Sequence, residues 1–492
     1  MGDASSALTA SEVRHLLRRT GFGAPPGEVS KILGRYPTRG AAAEYLLNFK
    51  PSRFQPRGKG IDRRQDSWLR FMLSTKSPLQ EKLVLFWHDH FATNYATVGD
   101  DDWMGLQNQL LRSSCKGNFK SFVKAINVDP AMMDFLDTRR NRKREPNENY
   151  PRELLELFTL GVYDFAGNPN YAQADIVQIA RAFSGWRVER DKPEFDEGQH
   201  DFMEDYEERG PKVIFTEHGG FGPGGRSFAA AGEGAIEIDT VIEILFDHTD
   251  SDGRNTVARR TARRLLEFFC HGAFAETTPQ VAAVVDDVVD ASGFDSTWDL
   301  EALLFEILVS DAFFESAAAA PWNGATAKSV KWPIDYLVAT MRTLGVKPRG
   351  RETGIEAPGG RELRRYAADM GQELFEPPSV FGWKWETSWV TSATMLARAR
   401  FARDVVRADG RGRNGFQPGS LLDMSLTDPV AIVSAVAEAL GVDDQVGSGQ
   451  RAVLEDYLSP GGGGVDLESE SGQTKLAGLF IVLLQSPAFQ LH

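Results

Sequence analysis

The chain has 492 residues, and its 42% hydrophobic and 10% aromatic content is that of a globular protein. At about 100–200 residues per domain, it has room for two or three cores. The formal net charge is −14, from 55 basic and 69 acidic residues, which argues against nucleic-acid phosphates as the main partner. Its two cysteines, Cys115 and Cys270, are too few for a disulfide framework or a cysteine-based zinc site.

The sequence lacks the patterns of a membrane or secreted protein. No stretch approaches the roughly 18 consecutive apolar residues of a membrane helix. The N-terminal residues hold no positive segment followed by an apolar one, as a signal peptide would. We therefore predict a cytoplasmic protein, and the sequence leaves open export together with a partner.

Apolar residues recur at helical spacing through most of the chain. This periodicity predicts a mainly α protein: a large multi-helix, bundle-like array with long loops and little or no β-sheet. Shifts in composition, and a Pro321–Trp322 break, divide the chain into four regions. These are an N-terminal helical region (1–190), an acidic, Gly-rich loop insert (191–235), a middle helical region (236–320) and a C-terminal helical region with a tryptophan cluster (321–492).

Residues 147–186 predict two amphipathic helices joined by a Gly/Asn/Pro loop. The first helix runs from Arg152 to Leu160 and stops at a glycine, and the second opens near Gln173 or Asp175. Glu153 and Glu156 are one turn apart, so both carboxylates project from one side. They are either a solvated face with Arg152 as partner or a buried acid pair for metal or proton chemistry.

A strong helix is predicted from Pro78, and it places His90 on the same face as large apolar residues. His88 lies about 200° around that helix from His90, so both imidazoles can bind one metal only if the helix ends or unwinds near Asp89. His90 is either a hydrogen-bonded core histidine or a ligand or general base facing the Glu153 region. His200, beside Asp201, is a further candidate.

Three tryptophans, Trp383, Trp385 and Trp389, occur within seven residues. They are either a platform on which sugar rings stack or a plug that packs the C-terminal region against the first. We favour the plug, because large aromatic side chains contribute most when they are buried.

Five blocks resemble a large bacterial family, domain of unknown function 1800, and together they span nearly the whole chain. They are HLLRRTGFG (15–23), FWHDHFATN (86–94), NENYPRELLELFTLGV (147–162), YAQADIVQIARAFSGW (171–186) and PPSVFGWKWETSWV (377–390). The resemblance implies a mostly helical bacterial protein, often encoded beside a sulfatase-like or alkaline-phosphatase-like exported partner. It implies no established reaction.

We predict an enzyme whose site combines His90, His88, Arg152, Glu153, Glu156 and His200. Imidazole and carboxylate groups suit Zn, Fe or Mn, so metal-assisted hydrolysis or oxidation is the leading hypothesis. His88, His90, Glu153 and Glu156 are the predicted metal ligands. In this scheme His90 is a ligand or base, Glu156 a base or a group that orients a ligand, and Arg152 an anion holder.

Two other functions compete with the enzyme. The first is a non-catalytic helical scaffold that binds a partner, and the second is a carbohydrate-binding protein. A shared pocket open to water for His90, Glu153 and Glu156 favours the enzyme. Separations above about 12 Å, or sealing by salt bridges, favour the scaffold. Carbohydrate binding requires at least two of the late tryptophans to be exposed side by side.

Overall fold

A computed structural model of the chain describes residues 2–56, 58–202, 210–228, 234–315, 329–348, 361–407 and 415–492. The described residues contain 24 α-helices and two small antiparallel sheets, so the prediction of a mainly α protein is confirmed. The predicted boundary at Pro321 lies outside the described residues. Buried apolar side chains from Leu8 to Phe489 form one contiguous core within the described part of the chain.

The described helices that precede the insert include α5, which packs against α1 and α7. They are α1 (Ala10–Thr20), α2 (Pro26–Arg35), α3 (Arg39–Leu47), α4 (Ile61–Ser74), α5 (Pro78–His90), α6 (Tyr95–Val98), α7 (Asp101–Ser114), α8 (Phe119–Asn127), α9 (Pro130–Phe135), α10 (Asn149–Glu153) and α11 (Gln173–Ala182). A π-helix, Leu154–Thr159, follows directly on α10.

The insert is built mainly of short extended segments. Trp186–Glu189 (β1) pairs with Lys192–Phe195 (β2), and Val213–Ile214 (β3) pairs with Arg226–Ser227 (β4).

The remaining helices complete the array. They are α12 (Glu237–Phe246), α13 (Thr256–Phe269), α14 (Pro279–Ser292), α15 (Phe294–Thr297), α16 (Leu300–Val309), α17 (Asp311–Glu315), α18 (Pro333–Thr343), α19 (Leu363–Asp369), α20 (Ser392–Val406), α21 (Pro429–Ala439), α22 (Ser448–Leu458), α23 (Glu470–Gln485) and α24 (Pro487–Gln490).

Helix α5 begins at Pro78, as predicted, because a proline in the first turn has no amide hydrogen to leave unpaired. Every residue from Leu79 to His90 is buried. A helix that is covered on all sides must pair each of its polar side chains inside the protein.

Glu81 is the first of these buried groups, and its partner is Arg112 on α7. Both side chains are fully buried, and Arg112 Nη2 lies 2.7 Å from Glu81 Oε2. Trp68 Nε1 donates a hydrogen bond of 2.9 Å to the same oxygen. The pair therefore joins α4, α5 and α7.

Lys82 is the second buried charge, and it pairs with Asp335 on α18. His492 Nε2 lies 2.8 Å from Asp335 Oδ2. Burial opposes ionisation of Asp335, but Lys82 and His492 outweigh it and hold the pKa of this carboxyl well below its usual range. The C-terminal region is thus tied to α5 by charge as well as by apolar packing.

We predict that Arg112→Met lowers the free energy of unfolding by about 3–5 kcal/mol, because the carboxylate of Glu81 would stay buried without its counter-charge. Urea unfolding followed by circular dichroism measures this change. The control is Arg140→Met, which removes an exposed ion pair with Asp137 and should cost less than about 1 kcal/mol. Equal losses in the two variants would contradict this view of the core.

Candidate functional site

The last turn of α5 directs three consecutive polar side chains to three different partners. The His88 ring packs against Trp68, Phe375 and Trp383, and its Nε2 accepts the amide hydrogen of Phe375 at 3.0 Å. Burial lowers the pKa of His88 to about 3, so this imidazole is neutral. It serves to hold the C-terminal region in place.

Asp89 accepts two hydrogen bonds from the loop that carries Trp383, Trp385 and Trp389, which we call the tryptophan loop. Its Oδ1 accepts the Trp383 amide hydrogen at 2.7 Å, and its Oδ2 accepts Trp385 Nε1–H at 3.0 Å. Gly382 allows this approach, since a Cβ there would lie 2.4 Å from Asp89 Oδ1 and its φ is +73°. Burial raises the pKa of Asp89 to about 7, despite Arg264 at 3.7 Å.

His90 lies over Phe86, and its Nε2 is 3.2 Å from the carbonyl oxygen of Phe158. Burial lowers the pKa of His90 well below its usual range, so the ring is neutral and Nε2 carries the proton that it donates to this carbonyl. The carbonyl belongs to the π-helix, which places the end of α5 against the predicted motif at 147–162.

The sequence predicted a single helix from Arg152 to Leu160, but the structure widens it into a π-helix after Glu153. The amides of Leu160 and Gly161 both donate to the carbonyl of Leu155. Such widened turns are rare and often occur at functional sites. Here the π-helix presents the carbonyls of Leu157 and Phe158 to other elements.

Three arginines on one face of α13 lie next to this turn. Arg260, Arg263 and Arg264 line a cleft of about 220 Å³ together with Asp89 and His90. We call this the arginine cleft. Its remaining lining residues are Leu157, Glu267, Ala275, Val380 and Phe381, and the last of these is 65% exposed.

Arg260 is the most deeply placed of the three. Its Nη2 donates to the Leu157 carbonyl at 3.2 Å, and its Nε is buried with no hydrogen-bond partner in the described part of the chain. Gly161 makes room for it, since a Cβ there would lie 2.7 Å from Nη1. Burial, and then the charges of Arg263 and Arg264, lower the pKa of Arg260 to about 9.

The other two arginines are partly engaged. Arg263 donates to the carbonyl of Ala275, and burial lowers its pKa. Arg264 forms a salt bridge of 2.6 Å with Glu267, and its guanidinium lies 4.3 Å from the centre of the Trp385 ring. The cleft therefore concentrates positive charge in a chain whose net charge is negative.

Glu153 and Glu156 flank the arginine cleft but are not among its lining residues. Glu153 is half-buried, and its Oε2 finds no hydrogen-bond partner among the residues that the structure describes. Burial, and then the charge of Glu156, raise the pKa of Glu153 to about 7. Glu156 accepts a long hydrogen bond from Tyr171, at 3.4 Å, and its charge also acts on Arg260.

Arg152 and His200 lie outside this arrangement. Arg152 pairs with Glu148 at 2.9 Å and reaches Gln173, so it faces α11 and solvent. His200 is fully buried between Lys212 and Glu237, whose nearest atoms are 3.2 and 3.3 Å from its Nε2. This second polar cluster is sealed by ion pairs and fastens the insert to α12.

The predicted metal site finds no donor set in the structure. Within the described ranges, no group of three or more His, Cys, Asp or Glu side chains could hold a metal ion. The Nε2 atoms of His88 and His90 are both hydrogen-bonded to backbone groups.

The tryptophans form a plug rather than a platform. Trp383 and Trp389 are buried and cluster with Trp332, while the half-buried Trp385 packs on Phe268. Two indoles exposed side by side, which carbohydrate binding required, are not present in this loop.

Sequence reasoning did not single out the three arginines. The signal was present as two arginine pairs, 259–260 and 263–264, whose spacing puts three of the four side chains on one helical face. It also passed over Asp89, which lies between the two histidines that were considered. Neither the three arginines nor Asp89 could be predicted as site residues without knowing that α13 meets the end of α5.

The fold and the site define a mainly helical protein with an arginine-lined cleft at the end of a buried central helix. A family model described as "Protein of unknown function (DUF1800)" matches residues 15–491, so the chain belongs to this family, as the sequence blocks indicated. No curated protein and no solved structure matches the chain. Within the described residues, no helix has the length and apolar character needed to cross a membrane.

We predict that Asp89 makes stability depend on pH. The ordinary pKa of this carboxyl is 3.8, so between about pH 4 and pH 7 the unfolded chain releases a proton that the folded protein keeps. The free energy of unfolding therefore falls as the pH rises through this window, by about 3 kcal/mol between pH 5 and pH 8 from this residue.

Asp89→Asn cannot release that proton, so its free energy of unfolding should decline less over the same interval. Urea unfolding of both proteins at several pH values measures the difference. Parallel pH profiles for the wild type and the variant would show that Asp89 titrates normally.

Proposed function

We propose that the protein is an enzyme that acts on a substrate bearing an oxyanion group, which binds in the arginine cleft. The observation that carries the proposal is the convergence of Arg260, Arg263 and Arg264 on one solvent-accessible cleft that also contains Asp89 and His90. Guanidinium groups recognise phosphate, sulfate and carboxylate oxygens through paired N–H donors.

Electrostatics supports an anionic ligand. The lowered pKa of Arg260 reports burial and the nearby like charges of Arg263 and Arg264. Among the described residues that line the cleft, only Asp89 and Glu267 offer opposite charge, and Glu267 is bound to Arg264. A bound oxyanion would relieve this repulsion.

Asp89 is the group that we assign to proton transfer. With a pKa of about 7, its carboxyl is partly protonated near neutral pH, which suits a general acid. The reaction class is hydrolysis of an ester of the oxyanion. Water attacks the central atom of the oxyanion, the bond from that atom to the ester oxygen breaks, and Asp89 protonates the leaving oxygen. The proton that the attacking water loses restores the Asp89 carboxyl. The charge of Glu156 helps to keep Arg260 protonated.

Metal-assisted hydrolysis or oxidation, the finer hypothesis from the sequence, has no donor group to support it in the described residues. The proposal therefore assigns no step to a metal ion. Stoichiometric metal in protein purified without a histidine tag would favour the metal-assisted hypothesis instead.

A non-catalytic scaffold that binds a sulfatase-like or alkaline-phosphatase-like partner is the second candidate. It is favoured by the structural roles of two predicted site residues: His88 holds Phe375 and packs on Trp383, and His200 fixes the insert. Asp89, which the sequence did not predict, likewise fixes the tryptophan loop. In that case the arginine cleft would receive an acidic group of the partner, and no ester would be hydrolysed.

We expect saturable binding of inorganic phosphate or sulfate in calorimetric titrations at low ionic strength. Arg260→Gln and Arg263→Gln should each weaken this binding about 10- to 100-fold, the usual cost of losing a charged hydrogen bond. The matched control is Arg254→Gln, which also removes one arginine beside α13 but disrupts surface ion pairs with Asp290 and Asp286 that lie outside the cleft. Equal affinities in all four proteins would refute the assigned binding site.

Hydrolysis of p-nitrophenyl phosphate and p-nitrophenyl sulfate tests the chemical step. If Asp89 is the acid, Asp89→Asn should reduce kcat by about 10²- to 10⁴-fold while phosphate still binds. The wild-type rate should fall as the pH rises above about 7, since the acid is then deprotonated. Anion binding without turnover of either ester, unchanged by Asp89→Asn, would favour the scaffold.

A further inference from the structure

A second, larger cavity lies among the N-terminal helices and shares no lining residue with the arginine cleft. Its volume is about 690 Å³, within the usual range of small-molecule sites. It runs between the α1–α2 turn, α3, the start of α5 and the end of α18. We call it the N-terminal groove.

The walls of the N-terminal groove are mainly apolar. Apolar lining side chains come from α1, α3, α18 and the connecting segments, and they include Leu17, Phe22, Leu46, Phe49, Met341 and Val346. Most of these side chains are already buried, and the apolar surface that stays open to water comes from half-buried lining residues such as Tyr45, Leu46 and Leu73. Covering that surface with an apolar ligand is favourable.

The groove is braced by backbone contacts from Arg342. Its Nη1 donates to the carbonyls of Met72, Leu73 and Thr75, at 3.0, 3.3 and 3.1 Å. These bonds fix the end of α4 against α18. The walls are therefore held in place without a ligand, which reduces the entropic cost of binding.

The mouth of the groove is positively charged. Lys76 and Lys347 are both exposed on its lining, and Lys31 lies there in a salt bridge of 3.3 Å with Glu28. Glu28 is the one acidic residue among the described lining residues, against Lys31, Lys76, Arg342 and Lys347. The charge complement of this mouth is an anion.

We propose that the N-terminal groove binds a single-chain amphiphile with an anionic head group. The hydrocarbon chain lies along the apolar walls, and the head group sits between Lys76 and Lys347. This binding activity is independent of the proposed hydrolysis in the arginine cleft.

Calorimetric titration of the full chain with dodecanoate, below its micelle concentration, tests the proposal. We expect saturable binding of one molecule per chain, with dodecan-1-ol and dodecylammonium at least about tenfold weaker, because each lacks the negative head group. Equal binding of the three compounds, or no saturable binding of dodecanoate, would overturn it.

Two kinds of variant locate the site. Leu46→Trp fills the groove from a half-buried position and should abolish dodecanoate binding. Lys76→Glu combined with Lys347→Glu should weaken it at least about tenfold while leaving dodecan-1-ol unaffected. Both lysines are exposed, so this variant remains informative even if Leu46→Trp fails to fold.

Lys192→Glu, an exposed charge reversal on β2, is the matched control and should bind dodecanoate like the wild type. Phosphate titrations of the same variants should be unchanged, which separates this site from the arginine cleft. Dodecanoate binding that survives both groove variants would place the ligand elsewhere and reject the proposal.

Discussion

The complete burial of α5 is the constraint on which the rest of the structure depends. A helix with a charged or polar group in both its first and its last turns cannot be enclosed unless distant parts of the chain neutralise those groups. Glu81 pairs with Arg112 of α7, Lys82 pairs with Asp335 of α18, and Asp89 accepts hydrogen bonds from the tryptophan loop. These pairings bring the N-terminal and C-terminal regions into one core, and apolar packing alone would not specify the same partners.

The same constraint generates the unusual chemistry at the end of the helix. Asp89 is held by two hydrogen bonds yet has a raised pKa, because burial outweighs both bonds and the charge of Arg264, 3.7 Å away. The neutral His90 joins α5 to the π-helix, and the π-helix in turn offers a carbonyl to Arg260. The arginine cleft is thus assembled from four segments that are far apart in sequence: the end of α5, the π-helix, α13 with the turn after it, and the segment just before the tryptophan loop. Groups with perturbed pKa values that meet in a cleft are typical of functional sites.

Local patterns in the sequence predicted those features that local physics determines. The start of α5 at Pro78, the start of α11 at Gln173 and the burial of His90 follow from capping and periodicity. The tryptophan plug follows from the tendency of indoles to be buried. The sequence did not predict the π-helix, because the apolar residues there fit the 3.6-residue period of a regular α-helix equally well. Periodicity also could not reveal that α5 is covered on every side, or that the face of α13 with three arginines meets its end.

The predicted His/Glu site and the observed arginine cleft share His90, and Arg260 links the two. The sequence therefore predicted the right region of the molecule but not the arginines that line the cleft. The most direct test of the cleft is the anomalous scattering of tungstate, an oxyanion analogue, in crystals of the protein. We expect a tungstate peak in the arginine cleft, within hydrogen-bonding distance of Arg260 and Arg263. An empty cleft in crystals that bind tungstate elsewhere would contradict it.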